Sequence, residues 1–331
     1  MSLIFFLGQQ DFGVLLSEVQ VSRRNAFATG TYSNLHTQFK AYLAFCVYFQ
    51  RDPLPADSET IYAYVQFLSR SLKSPTLRNY LSGVKMLHIL LGLPYSHSED
   101  ILLKLELRGL ARLYPHVPVR AKPVTPDILL IFHHHMDHGS SLHCSVWSCC
   151  LLLFYTMARL GSILPASAAT TCHSFLSRDR LNFCREGLLV TLLHTKTIQF
   201  GRRRLHIPLL TIDSVLCPVK AYTNALSCFA PLSHPAAFAY VKDGKLRHLT
   251  SGVFISTFRS VMRHAGVAEV SLFTGHSFRR GGASWAFRSG VPGELIQICG
   301  DWASDSYKRY LEFSTQNKLD LAALLTRHLP R

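Results

Sequence analysis

Three segments of the chain from residue 159 onward carry side chains that could hold an anion, move protons or act as a nucleophile. In chain order they contain Arg159, then Lys196, and then His276, Arg279, Trp302, Tyr307 and Tyr310. Arginines can hold oxygens on which negative charge builds up, lysine and histidine can move protons, and a tyrosine hydroxyl can act as a nucleophile. Taken singly, each has an ordinary explanation, because a lysine in a turn is usually solvated and tyrosines three residues apart usually pack one helix face.

The net charge indicates which kinds of molecule the protein can bind. The chain has 331 residues, with 35 Lys and Arg against 20 Asp and Glu, and its formal net charge is +15. This excess predicts a nucleic acid or another anionic partner and excludes a preference for cationic ligands. The longest apolar stretch, 146–157, is shorter than the ~18 residues that a membrane-spanning helix needs, so no membrane association is expected. The apolar residues 3–7 are too few for a signal peptide.

The cysteines and histidines do not predict a metal site. None of the nine cysteines forms a CxxC pair, which is typical of reduced thiols in a cytosolic or nuclear protein. One cluster contains His133, His134, His135, His138, His143 and Cys144. It lacks the spacing of metal ligands. Thr125-Pro126-Asp127 has the pattern of a helix start, and histidines are favourable in the last turn of such a helix.

Hydrophobic periodicity divides the chain into two domains. Residues 1–28 show no sustained period and are predicted to be a loosely ordered leader. Apolar residues recur at helical spacing in 32–49, 57–72 and 75–91, which predicts a helical domain over 29–113. Four prolines fall within 114–126 and favour an extended linker. The second domain, 127–331, mixes both kinds of pattern.

In the second domain, a buried helix is predicted over 141–160, with Arg159 near its end. The runs 187–193 and 203–209 predict a hairpin with a long basic tip at 196–202, and a further short strand is predicted at 235–241. Helices are predicted over 218–229 and 251–265 and dominate to the C-terminus. The predicted fold class is therefore mainly α with a small β-sheet.

Three sequence segments carry a family resemblance. HSFRRGGASWA, GDWASDSYKRYLEF and LLHTKTIQFG resemble motifs of the tyrosine recombinase (phage integrase) family, and in particular of recombinases from eukaryotic mobile elements, the DIRS-like and Crypton-like groups. The resemblance covers residues 30–331 and preserves the order Arg, Lys, HxxR, Trp, Tyr. It implies a helical, SAM-like core-binding domain followed by a mixed α+β catalytic domain.

The resemblance assigns roles to six residues. It implies that Arg159 and Arg279 hold the phosphate oxygens, that Lys196 protonates the leaving 5′-oxygen and that His276 is an acid–base group. Trp302 stands where the family has a His or Trp that donates to the phosphate. Tyr310 is favoured over Tyr307 as the nucleophile, because the family spacing from the Trp position is close to eight residues. Neither a metal nor a cofactor is required.

Further basic residues are predicted to contact DNA outside the reaction. They are Arg78, Lys85, Arg202, Arg203, Arg204 and Arg280. Arg78 and Lys85 are seven residues apart and share one side of a predicted helix; an ordinary solvated face is the alternative for them, and for the basic tip. One departure from the family is that Ser162 stands where many members carry an acid shortly after the first arginine.

The expected function is that of a mobile-element recombinase. Such an enzyme cuts and rejoins double-stranded DNA through a 3′-phosphotyrosyl intermediate, as a tetramer on DNA, in the nucleus of a eukaryote and otherwise in the cytoplasm. Two alternatives stay open: an inactive relative that only binds DNA, and a type IB topoisomerase. The leucine-rich segment 317–328 is expected to be a helix that docks either on its own protomer or on a neighbour.

Overall fold

The computed structural model describes residues 12–168, 175–198, 203–228, 234–311 and, near the C-terminus, 319, 322–323 and 325–327. The chain separates into two compact units, which divide between Pro118 and Val119. Most of the described elements are helices, and the strands form two small antiparallel sheets. The predicted fold class is confirmed. Six of the twelve residues of the segment 317–328 lie outside the described residues.

The first unit is helical. Its helices are α1 (Phe12–Arg24), α2 (Thr29–Tyr48), α3 (Ser58–Ser69), α4 (Ser74–Leu91) and α5 (Ile101–Leu113). Helices α2 to α4 match the three predicted segments. Helix α1 lies within the predicted leader, which is therefore not without structure, and α5 was missed. The buried leucines of α5 alternate with exposed Ile101, Leu102 and Leu105, and these obscure its apolar stripe.

Two buried histidines fix the loop before α3. The Ala56 N–H donates to His88 Nε2 at 2.9 Å, and His97 Nε2 lies 2.8 Å from the Ala56 carbonyl oxygen, to which it donates. His88 Nδ1 lies 2.8 Å from the Val84 carbonyl oxygen, so its proton is on that nitrogen. The peptide group of Ala56 is thus satisfied on both sides although it lies against a helical core.

The second unit contains seven helices and five strands among its described residues. They are α6 (Pro126–His135), α7 (Ser141–Thr156), α8 (Leu160–Ile163), β1 (Leu181–Phe183), β2 (Gly187–Leu192), β3 (Leu205–Leu210), α9 (Pro218–Ser227), β4 (Ala239–Lys242), β5 (Lys245–His248), α10 (Ser251–His264), α11 (Gly275–Arg288) and α12 (Gly293–Cys299). Strands β1, β2 and β3 form one antiparallel sheet in that order, and β4 pairs with β5. Strand β1 was not predicted, and β4 begins later than the predicted strand at 235–241.

The second half of the predicted linker 114–126 belongs to the second unit. The Lys122 N–H donates to the Leu272 carbonyl oxygen at 3.1 Å, and the Val124 N–H donates to that of Ser277 at 3.0 Å. Pro126 is already the first residue of α6. The prolines prevent a helix as predicted, but the extended chain is used for packing rather than as a free connection.

Helix α7 forms the centre of the second unit and is buried on nearly all sides. The predicted helix over 141–160 is interrupted, because Met157 adopts a left-handed backbone conformation with φ of 51°. Thr156 Oγ1 accepts a hydrogen bond from the Ala158 N–H at 3.3 Å and so helps to close the break. Arg159 is then extended and precedes α8. The prediction that Arg159 lies at the end of the long helix is therefore wrong. Arg159 lies immediately before the next short helix, α8.

Two glycines let α11 approach its neighbours closely. A Cβ on Gly281 would collide with the backbone carbonyl of Val124, and one on Gly282 would collide with the carbonyl oxygen of Phe154 in α7. Because backbone atoms cannot move aside as the end of a flexible side chain can, these two positions require glycine.

Replacing Gly282 by Ala is expected to lower the free energy of unfolding by about 3 kcal/mol, the upper end of the usual cost of overpacking. All three tryptophans lie in the second unit, so urea unfolding followed by tryptophan fluorescence measures it. The matched control is Gly252→Ala in α10, where a Cβ would meet nothing within 4 Å, and there stability should stay equal or rise slightly. Equal stability of both variants would mean that α11 is not so close to α7.

The apolar stretches, the histidine cluster and the cysteines are the features that could form a membrane span, a metal site or disulfides. Within the described ranges, no helix is long and apolar enough to cross a membrane. In the same ranges, no group of three or more His, Cys, Asp or Glu side chains is arranged to hold a metal ion. The His133 ring instead contacts the rings of His138 and Trp147, with centroid distances of 4.8 and 5.1 Å. The eight described cysteines are all free thiols.

Candidate active site

The start of α11 presents two site residues on one face. Thr274 caps the helix, since its side chain accepts from the His276 N–H at 3.2 Å, while Ser277 Oγ accepts from the Thr274 N–H at 2.9 Å. His276 and Arg279 are three residues apart and therefore neighbours on the helix surface. His276 is exposed, whereas Arg279 is only 1% exposed.

Arg279 is held by the residue at which the helix is interrupted after α7. Its Nη1 donates to the Met157 carbonyl oxygen at 2.5 Å. The guanidinium lies over the Trp302 ring, 3.6 Å from the centroid, and 5.7 Å from that of Tyr310. Burial and the nearby charge of Arg159 lower the pKa of Arg279, but an arginine stays cationic at neutral pH.

Three buried donors lie near one another in this region. The nitrogens Nε and Nη2 of Arg279 and Nε1 of Trp302 have no acceptor in good bonding geometry among the described residues, although the guanidinium interacts with the Tyr310 side chain. Buried donors without acceptors are costly and rare in native proteins. Two are on a cation, and all three can donate to the oxygens of a phosphate. The residues present therefore fit an anionic group.

The two candidate tyrosines have different environments. Tyr310 follows a 3₁₀ turn at Asp305–Arg309 and is partly exposed. Its ring centroid lies 6.3 Å from that of His276 and 5.5 Å from that of Trp302. Tyr307 is buried in a small apolar cluster, and its hydroxyl is so close to Gly293 that a Cβ there would collide with it. The geometry favours Tyr310 as the residue that can reach a substrate.

Arg159 and Lys196 complete the cluster from two other elements. Arg159 lies at the start of α8, and its Nη1 is 3.9 Å from Asp301 Oδ2. Lys196 lies in the connection between β2 and β3 and is exposed. Its charge, like those of Arg159 and Arg279, acts on the imidazole of His276. The structure thus brings together all six residues to which the resemblance assigned roles.

The environment of His276 favours its neutral form. Although the residue as a whole is exposed, its imidazole has lost part of its surrounding water, and this is the largest cause of a lowered pKa of His276. The positive charges of Arg279, Arg159 and Lys196 act in the same direction. The residue is therefore unprotonated at neutral pH, and it can accept a proton from a nearby hydroxyl.

In a proton NMR titration of the free protein, His276 is expected to titrate with a midpoint below about 6.5, the ordinary histidine value. The variant His276→Gln identifies the signal. Lys196→Met should move the midpoint upward, because one of the three nearby cations is removed. A bound DNA duplex should also move it upward, because the phosphate charges offset the remaining positive charge. A midpoint at or above the ordinary value would contradict the arrangement.

Asp301 is the residue that the sequence analysis missed. It immediately precedes Trp302, its side chain is 4% exposed, and its carboxylate accepts hydrogen bonds from Thr195, Thr197 and Arg203. The only sequence signal was an unexplained acid next to a predicted site residue in a strongly basic chain.

The residues predicted to contact DNA are distributed over both units. Arg78 and Lys85 are exposed on α4 in the first unit, and Arg204 is exposed before β3 in the second. Arg203 forms an ion pair with Asp301. Arg280 donates to the Ala121 carbonyl oxygen at 3.3 Å, which uses part of its guanidinium for packing. Arg202 lies outside the described residues.

Comparison with known proteins identifies the fold. No family model and no curated protein matches the sequence, but solved structures do. Residues 82–397 of the Tn1549 transposon integrase, in complex with a circular intermediate DNA, match with a TM-score of 0.59 and 14% identity, covering 95% of this chain and 98% of that one. A lambda integrase dimer bound to a COC′ core site matches with a TM-score of 0.58 and 16% identity, covering 91% and 95%.

A third structure, the XerH site-specific recombinase bound to difH in a pre-cleavage complex, gives a TM-score of 0.57 at 15% identity and covers 94% of this chain and 84% of that one. The chain has the tyrosine recombinase fold. At such identities the likeness concerns the fold alone, and a fold does not by itself determine an activity. The site itself contains a tyrosine hydroxyl, a neutral imidazole, an exposed lysine and two arginines, and the buried donors of Arg279 and Trp302 suit a phosphate.

Proposed function

We propose that this protein cuts and rejoins double-stranded DNA with Tyr310 as the nucleophile. The observation that carries the proposal is the position of Tyr310 beside Arg279, with which its side chain interacts, because the remaining guanidinium donors and the Trp302 N–H suit phosphate oxygens. The net charge of +15 and the exposed basic residues Arg78, Lys85 and Arg204 support a polyanionic substrate.

The proposed step is a transesterification. The Tyr310 phenol oxygen forms a bond to the phosphorus, and the bond from phosphorus to the 5′-oxygen breaks. The phenol proton passes to neutral His276, and Lys196 gives a proton to the leaving 5′-oxygen, so that protons and charge balance. The product is a 3′-phosphotyrosyl link with a free 5′-hydroxyl, and the reverse reaction rejoins the strand without another energy source.

The remaining residues stabilise the transition state. Arg159 and Arg279 form hydrogen bonds to the non-bridging oxygens, where negative charge increases, and the Trp302 N–H donates a further one. Because Arg279 and Trp302 are buried and already held in place, little reorganisation of these two donors is needed when charge develops.

The proposal extends to biological context. We infer from the three motif segments that the chain is a mobile-element recombinase of the DIRS-like or Crypton-like kind, acting in the nucleus as a tetramer on DNA. A tetramer is supported by a lambda integrase structure of the same fold, described as a tetramer bound to a Holliday junction.

The test is covalent trapping on nicked DNA. A duplex library with a random central segment and one nick lets the cleaved short fragment diffuse away, so that rejoining fails and the adduct accumulates. A detergent-stable protein–DNA adduct, with the trapped DNA sequenced to define a site, is the expected result. Exchange of strands between two intact duplexes that carry this site identifies a recombinase, whereas relaxation of a supercoiled plasmid without exchange identifies a topoisomerase. Binding without any adduct would overturn the proposal.

A further inference from the structure

The buried carboxylate of Asp301 makes contacts that its sequence position does not explain. Asp301 follows the end of α12 in a left-handed conformation with φ of 54°. Its Oδ2 accepts hydrogen bonds from the hydroxyls of both Thr195 and Thr197, and its Oδ1 accepts one from Arg203 Nη2. These three partners all lie in the connection between β2 and β3.

A carboxylate that is 4% exposed needs compensation for the water it has lost. Here the two threonine hydroxyls and the Arg203 guanidinium supply it, with Arg159 Nη1 3.9 Å away. Removing the charge would leave two arginines without a neighbouring anion, so the contacts act as a unit rather than singly.

The two threonines are the residues immediately before and after Lys196. Thr195 Oγ1 also accepts from the N–H groups of Thr197 and Ile198, at 3.2 and 3.0 Å, and Ile198 is buried. The backbone around Lys196 is therefore stabilised by local hydrogen bonds, and the residues on both sides of Lys196 donate to the Asp301 carboxylate. Since Asp301 adjoins Trp302, one short segment sets both the indole and the lysine relative to Arg279.

We propose that Asp301 is a positioning residue for Lys196, which it fixes beside the phosphate-binding arginines by holding both flanking threonines. The inference rests on the proposed function and deepens it. Asp301 and Ser162 line the same small cavity with Arg159. Many members of the family that the sequence resembles carry an acid at the position of Ser162. In this chain Asp301, which follows α12, places a carboxylate near Arg159 instead.

The decisive variant is Asp301→Asn, which keeps the size of the side chain and removes the charge and one acceptor. On the defined site with an ordinary 5′-oxygen leaving group, single-turnover cleavage should slow by on the order of 10–100-fold, the usual effect of misplacing a reacting group. With a 5′-phosphorothiolate the leaving sulfur needs no proton, so most of this loss should disappear. A merely structural role would slow both substrates equally.

Two further variants give matched controls. Thr195→Val together with Thr197→Val removes the hydroxyl contacts to Asp301 from the other side, and also the bonds that Thr195 Oγ1 accepts from the backbone. The loss should be at least as large, with no further loss when Asp301→Asn is added. Asp213→Asn removes an exposed carboxylate that pairs only with Lys220 at the surface, and it should leave both rates unchanged. Additive losses, or an equal loss on both substrates, would overturn the proposal.

Amide hydrogen exchange separates this inference from the proposed function. In the free protein, Asp301→Asn should speed exchange at Thr197 and Ile198 about tenfold or more and leave α7 unchanged. Unchanged exchange would overturn the inference whatever the activity. If the wild-type protein forms no adduct while the variant still exchanges faster, the proposed function fails, and Asp301 holds the segment without serving cleavage.

Discussion

The variant Tyr310→Phe is expected to form no covalent adduct on nicked DNA, and this is the largest single effect that the site predicts. Only the nucleophilic oxygen is removed, while the ring that packs against Trp302 and faces Arg279 is kept. Affinity for the same duplex, measured by fluorescence anisotropy at fixed salt, should therefore change less than about threefold, because most of the affinity comes from phosphate contacts elsewhere.

Tyr307→Phe is the matched control, since it removes a hydroxyl three residues away on a buried ring. It should retain adduct formation, and mass spectrometry of the wild-type adduct should find the modified peptide at Tyr310. Adducts from the Tyr310 variant but not from the Tyr307 variant would reverse the assignment.

The second large effect is expected for Lys196→Ala. If Lys196 protonates the leaving 5′-oxygen, its removal should slow cleavage by about 10²–10⁴-fold, the usual contribution of a general acid. A substrate with a 5′-phosphorothiolate should regain most of that rate, because a thiolate leaves without a proton. The measurement is the single-turnover rate of adduct formation on both substrates.

Lys220→Ala is the control for loss of a positive charge, since Lys220 pairs with Asp213 at the surface. It should be neutral on both substrates. A defect of Lys196→Ala that is equal on both substrates would mean that the lysine only binds phosphate.

Local patterns predicted the helices that bury one clear stripe and the sheet that alternates in burial. In β3, Leu205, Ile207 and Leu209 are buried while the residues between them are exposed, as period two requires. The break at Met157 could not be predicted, because a left-handed conformation at a non-glycine residue has no local signature. It arises from packing around the buried helix α7.

The site shows the same division. The resemblance named residues that the structure brings together, since the motifs mark positions that a shared fold places side by side. It could not reveal Asp301, whose partners Thr195 and Thr197 lie 106 and 104 residues away in sequence. Nor could it show that Arg203 is paired with a carboxylate, because a basic run has the same sequence whether it faces solvent or an ion pair.

The bond from Arg279 to the Met157 carbonyl has a consequence for how relatives of this chain should be compared. Arg279 is a phosphate ligand in the proposal, but it also satisfies the last carbonyl of an interrupted helix and fills the space against Trp302. A descendant that had lost all activity would still use this arginine for packing. Its retention therefore indicates an intact scaffold, whereas Tyr310 and Lys196, which are more exposed, are free to drift once cleavage is no longer selected.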